Sequence, residues 1–243
     1  DLDAIAEIDR LCDDYGLDTI ETGCAVAVAM HAGVKAFGDA TGAIELIHEI
    51  GKGTPLGRIL GSGTAVTGQA YGVSHVPVVK RQSLPAYDPR AVKGIGVTYA
   101  TTTMGADHTA GYAITTNILK IGGFVDPLKP EGQVDLSRNL QIATAGLDAA
   151  GLCVFVAFAA LDIPSGLEAI PKMLNAQYGW DLSLDDVMEY GKQILKTELE
   201  FNKAAGFTPS DDRLPAFFSK EPLAPHNVVF DVTDEELDSV LDF

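Results

Sequence analysis

The sequence predicts an all-α protein, multihelical and built as two packed helical domains, residues 1–78 and 79–243. Three observations carry that expectation. Apolar residues recur at three- and four-residue intervals through most of the chain, the spacing that lines one face of a helix. Side chains that cap helix N-termini and glycines that end helices recur at the edges of those stretches. Alternation of apolar and polar residues, the mark of a half-buried strand, is confined to "VPVVKR" and "NVVFDV".

Residues 1–15 set Leu2, Ile5, Ile8 and Leu11 on one face, and Gly16 closes that helix. Asp18 N-caps the next helix, with Glu21 three residues on in a capping-box arrangement, and this helix is expected to reach about residue 36. Another fits residues 42–50, followed by the glycine-rich "GKGTPLGRILGSG". Residues 72–90 hold three prolines and little helical period, so the domain boundary belongs there. Helical spacing returns over 91–102 and 108–120, is broken by "GGFVDPLKPEG", and resumes over 136–147 and 153–161. "SLDDVMEYGKQILKTELEFNKAAGF" reads as a surface helix with Ser183 as N-cap, Asp186 at N3 and Gly206 at its end. Thr233 and Glu236 open a last short helix.

Composition narrows the function. Lys and Arg number 17 against 34 Asp and Glu, a net charge of −17, which argues against nucleic acid or an anionic membrane as the main partner. The longest apolar run, Leu152 to Leu161, is far short of the ~20 residues of a membrane span. The first ten residues are charged, already helical in spacing and without an initiator Met. They read as the interior of a longer chain rather than a signal peptide. Three cysteines, Cys12, Cys24 and Cys153, suit a reducing, cytoplasmic setting.

One six-residue pattern occurs twice. Asp13, Gly16, Leu17 and Asp18 spell D-x-x-G-L-D, and Asp148, Gly151, Leu152 and Cys153 spell D-x-x-G-L-C. An Asp beside a chain reversal accepts hydrogen bonds from a ligand's N–H groups, and Gly lets a flat ligand approach the backbone. A Cys at a helix start has its thiolate favoured and can bind a soft metal. Either copy alone also reads as an ordinary helix–turn–helix joint; the pair suggests two halves of one clamp. His108, in "TTTMGADHTAGYA", suits a proton shuttle at neutral pH, or a capping histidine.

Together "DDYGLDTIETG", "LPAYDPRAVKGIGVTYATTTMGADHTAGYA", "DAAGLC" and "FNKAAGFTPSDDRLPAFFSKEPL" resemble the aldehyde ferredoxin oxidoreductase family, over essentially the whole chain and in its C-terminal domains 2 and 3. The resemblance implies a tungsten (or molybdenum) bis-pterin cofactor. Asp13, Leu17 and Asp18 would contact one pterin, and Asp148, Leu152 and Cys153 the other. Cys153 would also be one of four ligands to a [4Fe–4S] cluster, and His108 would lie beside the metal. It implies oxidation of an aldehyde to a carboxylate, with ferredoxin taking the electrons. The family's C-x-x-C-x-x-x-C run and Gly-rich N-terminal domain are not in this sequence. The expectation is therefore a fragment or split subunit, inert alone, that needs the N-terminal part or a partner subunit.

Better-known members carry a basic residue two positions after the histidine; here it is Ala110. "GADHT" resembles a branch that includes the tungsten subunit of a benzoyl-CoA reductase, which keeps that chemistry open. His48–Glu49 could serve a metal at a homodimer interface, as in some members. Lys80, Arg81, Arg90 and Lys93 form the one basic cluster, either solvated surface or a docking patch for ferredoxin; Tyr87, Asp88 and Arg90 read as structural. The competing expectation is a cofactor-free helical interaction module that uses the Asp–Gly turns only as helix caps.

Overall fold

The computed structural model describes the backbone of residues 1–243 and every side chain except that of Leu161. It is all-α, with one two-stranded hairpin, and divides into two compact units, Asp1–Pro85 and Ala86–Phe243.

The first unit holds α1 (Leu2–Tyr15), α2 (Thr19–His31), α3 (Ala40–Lys52), α4 (Pro55–Leu60) and α5 (Thr64–Tyr71). The hairpin β1 (Val78–Val79) and β2 (Gln82–Ser83) follows, pairing Val78 with Ser83 and Val79 with Gln82. Leu11, Cys12, Val26, Met30, Leu46, Ile47 and Leu60 form its core. α2 stops short of residue 36 because Gly33 turns the chain at φ 84° and its N–H bonds the Met30 carbonyl. The glycine-rich stretch after α3 is itself helical: Thr54 caps α4, with Pro55 in its first turn.

Glu21 does not complete a capping box with Asp18. Its carboxylate reaches instead to the N–H of Thr64 (2.6 Å) and of Ser83 (2.9 Å). It thus supplies the cap that Gly63, which has no side chain, cannot give to α5, and ties α2 to α5 and β2.

The second unit holds α6 (Lys93–Thr101), α7 (Gln133–Ala149), α8 (Val154–Asp162), α9 (Pro164–Tyr178), α10 (Leu184–Ala205), α11 (Phe217–Lys220) and α12 (Asp234–Asp238). α7 is its centre. It packs on α6 through a buried polar seam, where Thr98 and Ser137 hydroxyls meet at 2.8 Å and Gln141 donates to Thr101 (3.0 Å) and Ser137 (3.1 Å). On its other side α7 crosses α10 where both backbones are bare: a Cβ on Gly191 would overlap the Ile142 carbonyl oxygen, and one on Gly146 would lie 2.9 Å from that of Val187. "NVVFDV" gives no strand, only an isolated bridge between Leu223 and Val228.

The predicted helix over 108–120 is not formed as one. A 3-10 turn at Thr109–Gly111 and a π-helical turn at Thr115–Leu119 replace it. The Asp107 carboxylate takes the Thr109 N–H (2.9 Å) and hydroxyl (2.8 Å), a local turn that competes with helix formation. Among the described residues no single helix is long and apolar enough to cross a membrane.

Candidate functional site

The two hexapeptides adopt the same backbone. In each, Gly takes a left-handed conformation, φ 67° at Gly16 and φ 78° at Gly151. The Gly N–H bonds the Asp carbonyl three residues back, Gly16 to Asp13 at 3.2 Å and Gly151 to Asp148 at 2.9 Å. The Leu N–H bonds the residue before that Asp, Leu17 to Cys12 at 2.8 Å and Leu152 to Leu147 at 3.1 Å. These are paired helix-ending bonds that only a positive-φ residue allows without strain. Each Leu then turns inward: Leu17 packs on the core of the first unit, Leu152 on Leu147, Ile170 and Val187 of the second. Each Asp stays exposed on the last turn of its helix, Asp13 on α1 and Asp148 on α7.

The copies differ at the sixth position. Asp18 caps α2 by accepting the Glu21 N–H at 2.7 Å. Cys153 is the N-cap residue of α8 but makes no side-chain cap. The first N–H groups of α8 therefore have no side-chain acceptor, and an exposed sulfur sits at the positive end of a helix dipole. α7 and α8 meet at this turn with a bend of 116°.

Asp148 faces a hollow of about 330 Å³ between α7, α10 and the 102–110 loop, which Asp107, Ala110, Gln141 and Glu198 also line. Although Asp148 is exposed, partial desolvation in this hollow, and then the charge of Asp107, push its carboxyl above the usual carboxylate range. The side-chain oxygen of Gln141 is buried without a partner.

His108 follows Asp107, with its Nδ1 3.8 Å from Asp107 Oδ1. Its ring packs against Tyr112 (5.8 Å between centroids) and Tyr87 (6.1 Å). The Tyr87 and Tyr112 hydroxyls hydrogen-bond each other, and Tyr112 also packs on Phe158 of α8 at 5.7 Å. Burial, and then the bond to Tyr87, push the Tyr112 phenol up to about 12, so it keeps its proton. The arrangement is a half-buried imidazole held between two phenols, beside a carboxylate-lined hollow. The sequence shows Tyr87 only as part of a structural turn, and its one signal for Tyr112 is an aromatic residue four positions after His108.

The basic cluster does not survive as a patch of four. Lys93 is buried and its Nζ is paired with Asp231. Arg90 is held by Asp88 (2.7 Å) and the Glu221 carbonyl (2.9 Å), with its guanidinium over the Phe218 ring. His48 Nδ1 bonds the Tyr15 hydroxyl at 2.9 Å. Among the described residues no group of three His, Cys, Asp or Glu side chains could hold a metal.

The family profile described as "Aldehyde ferredoxin oxidoreductase, domains 2 & 3" matches residues 1–242. Curated relatives named tungsten-containing aldehyde ferredoxin oxidoreductase are similar over 92% of this chain. The Pyrococcus furiosus protein is 35% identical over 240 residues and the Thermococcus kodakarensis protein 36% over 240 residues. The chain spans 39% of the length of these relatives.

Proposed function

The chain belongs to the aldehyde ferredoxin oxidoreductase family, and from that premise we propose that it forms one side of the active centre of a tungsten (or molybdenum) bis-pterin enzyme. The whole protein would oxidise aldehydes to carboxylates and pass the electrons to ferredoxin. The observation that carries this reading is the shared backbone of the two D-x-x-G-L-[D/C] turns, each offering an exposed carboxylate beside a glycine with nothing within 4 Å of where a Cβ would stand. A scaffold that needed only helix caps would gain nothing from the uncapped cysteine at the start of α8.

The residues fit the group. Asp13 and Asp148 would accept the N–H groups of the pterins, and Leu17 and Leu152 fix the turns by burying their side chains. Leu17, Asp18, Leu152 and Cys153 would complete the contacts. Cys153 would supply one thiolate to a [4Fe–4S] cluster whose other ligands come from the missing part of the enzyme or a partner subunit. When bound, the metal–pterin centre supplies the two-electron chemistry and the cluster carries electrons singly onward.

Oxidation of an aldehyde with water releases protons, and His108 is the acceptor. Its Nδ1 side faces Asp107, which leaves Nε2 for the reacting molecule. Tyr87 and Tyr112 pack against the ring and hold it in place. In the full-length enzyme, His108→Asn should lower aldehyde oxidation at least about a hundredfold, the low end for a lost general base, with tungsten, pterin and iron content unchanged. Wild-type turnover in that variant would refute the role.

A further inference from the structure

A second and larger hollow, of about 620 Å³, lies where α7, α9 and α10 meet. It shares Ala149 with the hollow that Asp148 faces, but none of its polar groups. Its floor is the small-residue face at the end of α7, Gly146, Ala149 and Ala150, where larger side chains would fill the space. Tyr178, the last residue of α9, and Trp180 stack on each other, their centroids 4.6 Å apart, and Tyr190 of α10 stands in the lining as well. All three rings are more than half exposed, Trp180 by 53%. Three such rings around one concavity on a water-facing surface mark a place built to be covered.

The loop that carries Trp180 is fixed rather than loose. The Asn175 side chain donates to the Leu182 carbonyl (2.9 Å) and accepts the Leu182 N–H (2.8 Å), mimicking a backbone pair across the loop. Gly179 at φ 71° ends α9, and the Ser183–Asp186 capping box starts α10. The rings are thus preorganised, which lowers the entropy cost of binding.

The lining carries two carboxylates, Asp181 and Asp186, and no basic side chain. Asp186 Oδ2 accepts the Ser183 N–H and hydroxyl, which hold its carboxyl below the usual range and leave Oδ1 for a ligand. An anion is repelled here, in a protein of net charge −17. A neutral apolar guest would strip water from carboxylates and give nothing back. A compact ammonium satisfies the charge and is drawn to aromatic faces, but it has no plane to stack on them, no paired N–H fork for a carboxylate, and a stronger hold on its water. A guanidinium satisfies both, because its plane stacks on aromatic faces while its N–H fork meets carboxylates.

We propose that this hollow is a binding site for a small guanidinium compound, stacked against the Trp180 and Tyr190 rings and hydrogen-bonded by Asp181 and Asp186. The volume is that of a small-molecule site rather than a slot for one side-chain tip. The proposal stands apart from the aldehyde chemistry, and its test reads binding alone.

The test is calorimetric titration of the full-length protein with L-arginine amide and with L-citrulline amide, a neutral urea of the same shape. Arginine amide should bind saturably and citrulline amide about tenfold more weakly or worse, the factor set by losing one charge-assisted hydrogen bond. Asp181→Asn and Tyr190→Leu should each weaken arginine amide at least about threefold. Both residues are exposed, so circular dichroism should match the unaltered protein. Equal binding of the two amides, no saturable binding, or binding that both substitutions leave untouched would overturn the assignment.

Discussion

Glu21 holds the first unit together in a way that can be measured locally. Its carboxylate is the acceptor for two backbone N–H groups, Thr64 at 2.6 Å and Ser83 at 2.9 Å, and the Thr64 hydroxyl donates separately to the Glu21 carbonyl (3.2 Å). A hydrogen bond to a charged group contributes about 1.5–3 kcal/mol. The side chain is half-buried, so the lower end applies, and Glu21→Ala should cost about 3 kcal/mol for the two bonds. Glu21→Gln keeps one acceptor but turns an NH₂ toward the second donor, at a cost of about 1.5 kcal/mol. The assay is native-state hydrogen exchange of the Thr64 and Ser83 amides, since a chain of two units need not melt in one step. A loss of about 3 kcal/mol raises exchange roughly a hundredfold at both amides. Burial raises the Glu21 carboxyl, but the bonds from Thr64 and Ser83 outweigh it and hold it below its ordinary 4.5. An acid lowered on folding stabilises above its unfolded value and loses that contribution as pH falls through the folded value. The gap between the natural protein and Glu21→Gln should therefore be full at neutral pH and close below about pH 4.5. Protection unchanged in Glu21→Ala, or a gap that widens in acid, would refute this account.

Cys153→Ser should leave α8 intact or stabilise it by up to about 1 kcal/mol, because Ser caps where Cys does not; iron content of the full-length enzyme should fall, read by metal analysis beside thermal melting. Asp148→Asn should leave stability equal or slightly higher at neutral pH, since the native carboxyl is raised by partial desolvation and Asp107 and its ionisation works against folding; pterin retention should drop, and full pterin occupancy would remove Asp148 from the site. Gly191→Ala should destabilise the second unit by about 1–3 kcal/mol, seen as a lower urea midpoint, because its Cβ meets the backbone of α7.

Most helices were legible because their ends are local chemistry. Ser183 with Asp186, Thr233 with Glu236, and Gly16 and Gly206 at C-termini need only a few neighbouring residues to act, and the structure uses all of them. α9 escaped because Pro171 lies inside it, where a proline ordinarily interrupts a helix, although Pro164 sits in the first turn where one is favoured. The 108–120 segment misled because helical spacing was present while Asp107 and Thr109 offered the backbone another partner. At the site, both turns were visible in sequence, since a positive-φ glycine leaves a recognisable mark. The Tyr87–His108–Tyr112 packing was not, because it joins irregular segments with no period to betray the contact. Nor could sequence reveal that Lys93 is buried against Asp231, a pairing across 138 positions.

The uneven shielding of the three sulfurs has a practical corollary. Cys12 is enclosed and Cys24 partly so, and burial raises both thiols, which slows their attack on electrophiles. Cys153 is the exposed one of the three. Iodoacetamide should thus modify one sulfur per molecule, at the junction of α7 and α8, and peroxide damage should begin there too. If the rest of a longer enzyme encloses that atom, it doubles as an antioxidant, and alkylation should fall as the protein is assembled.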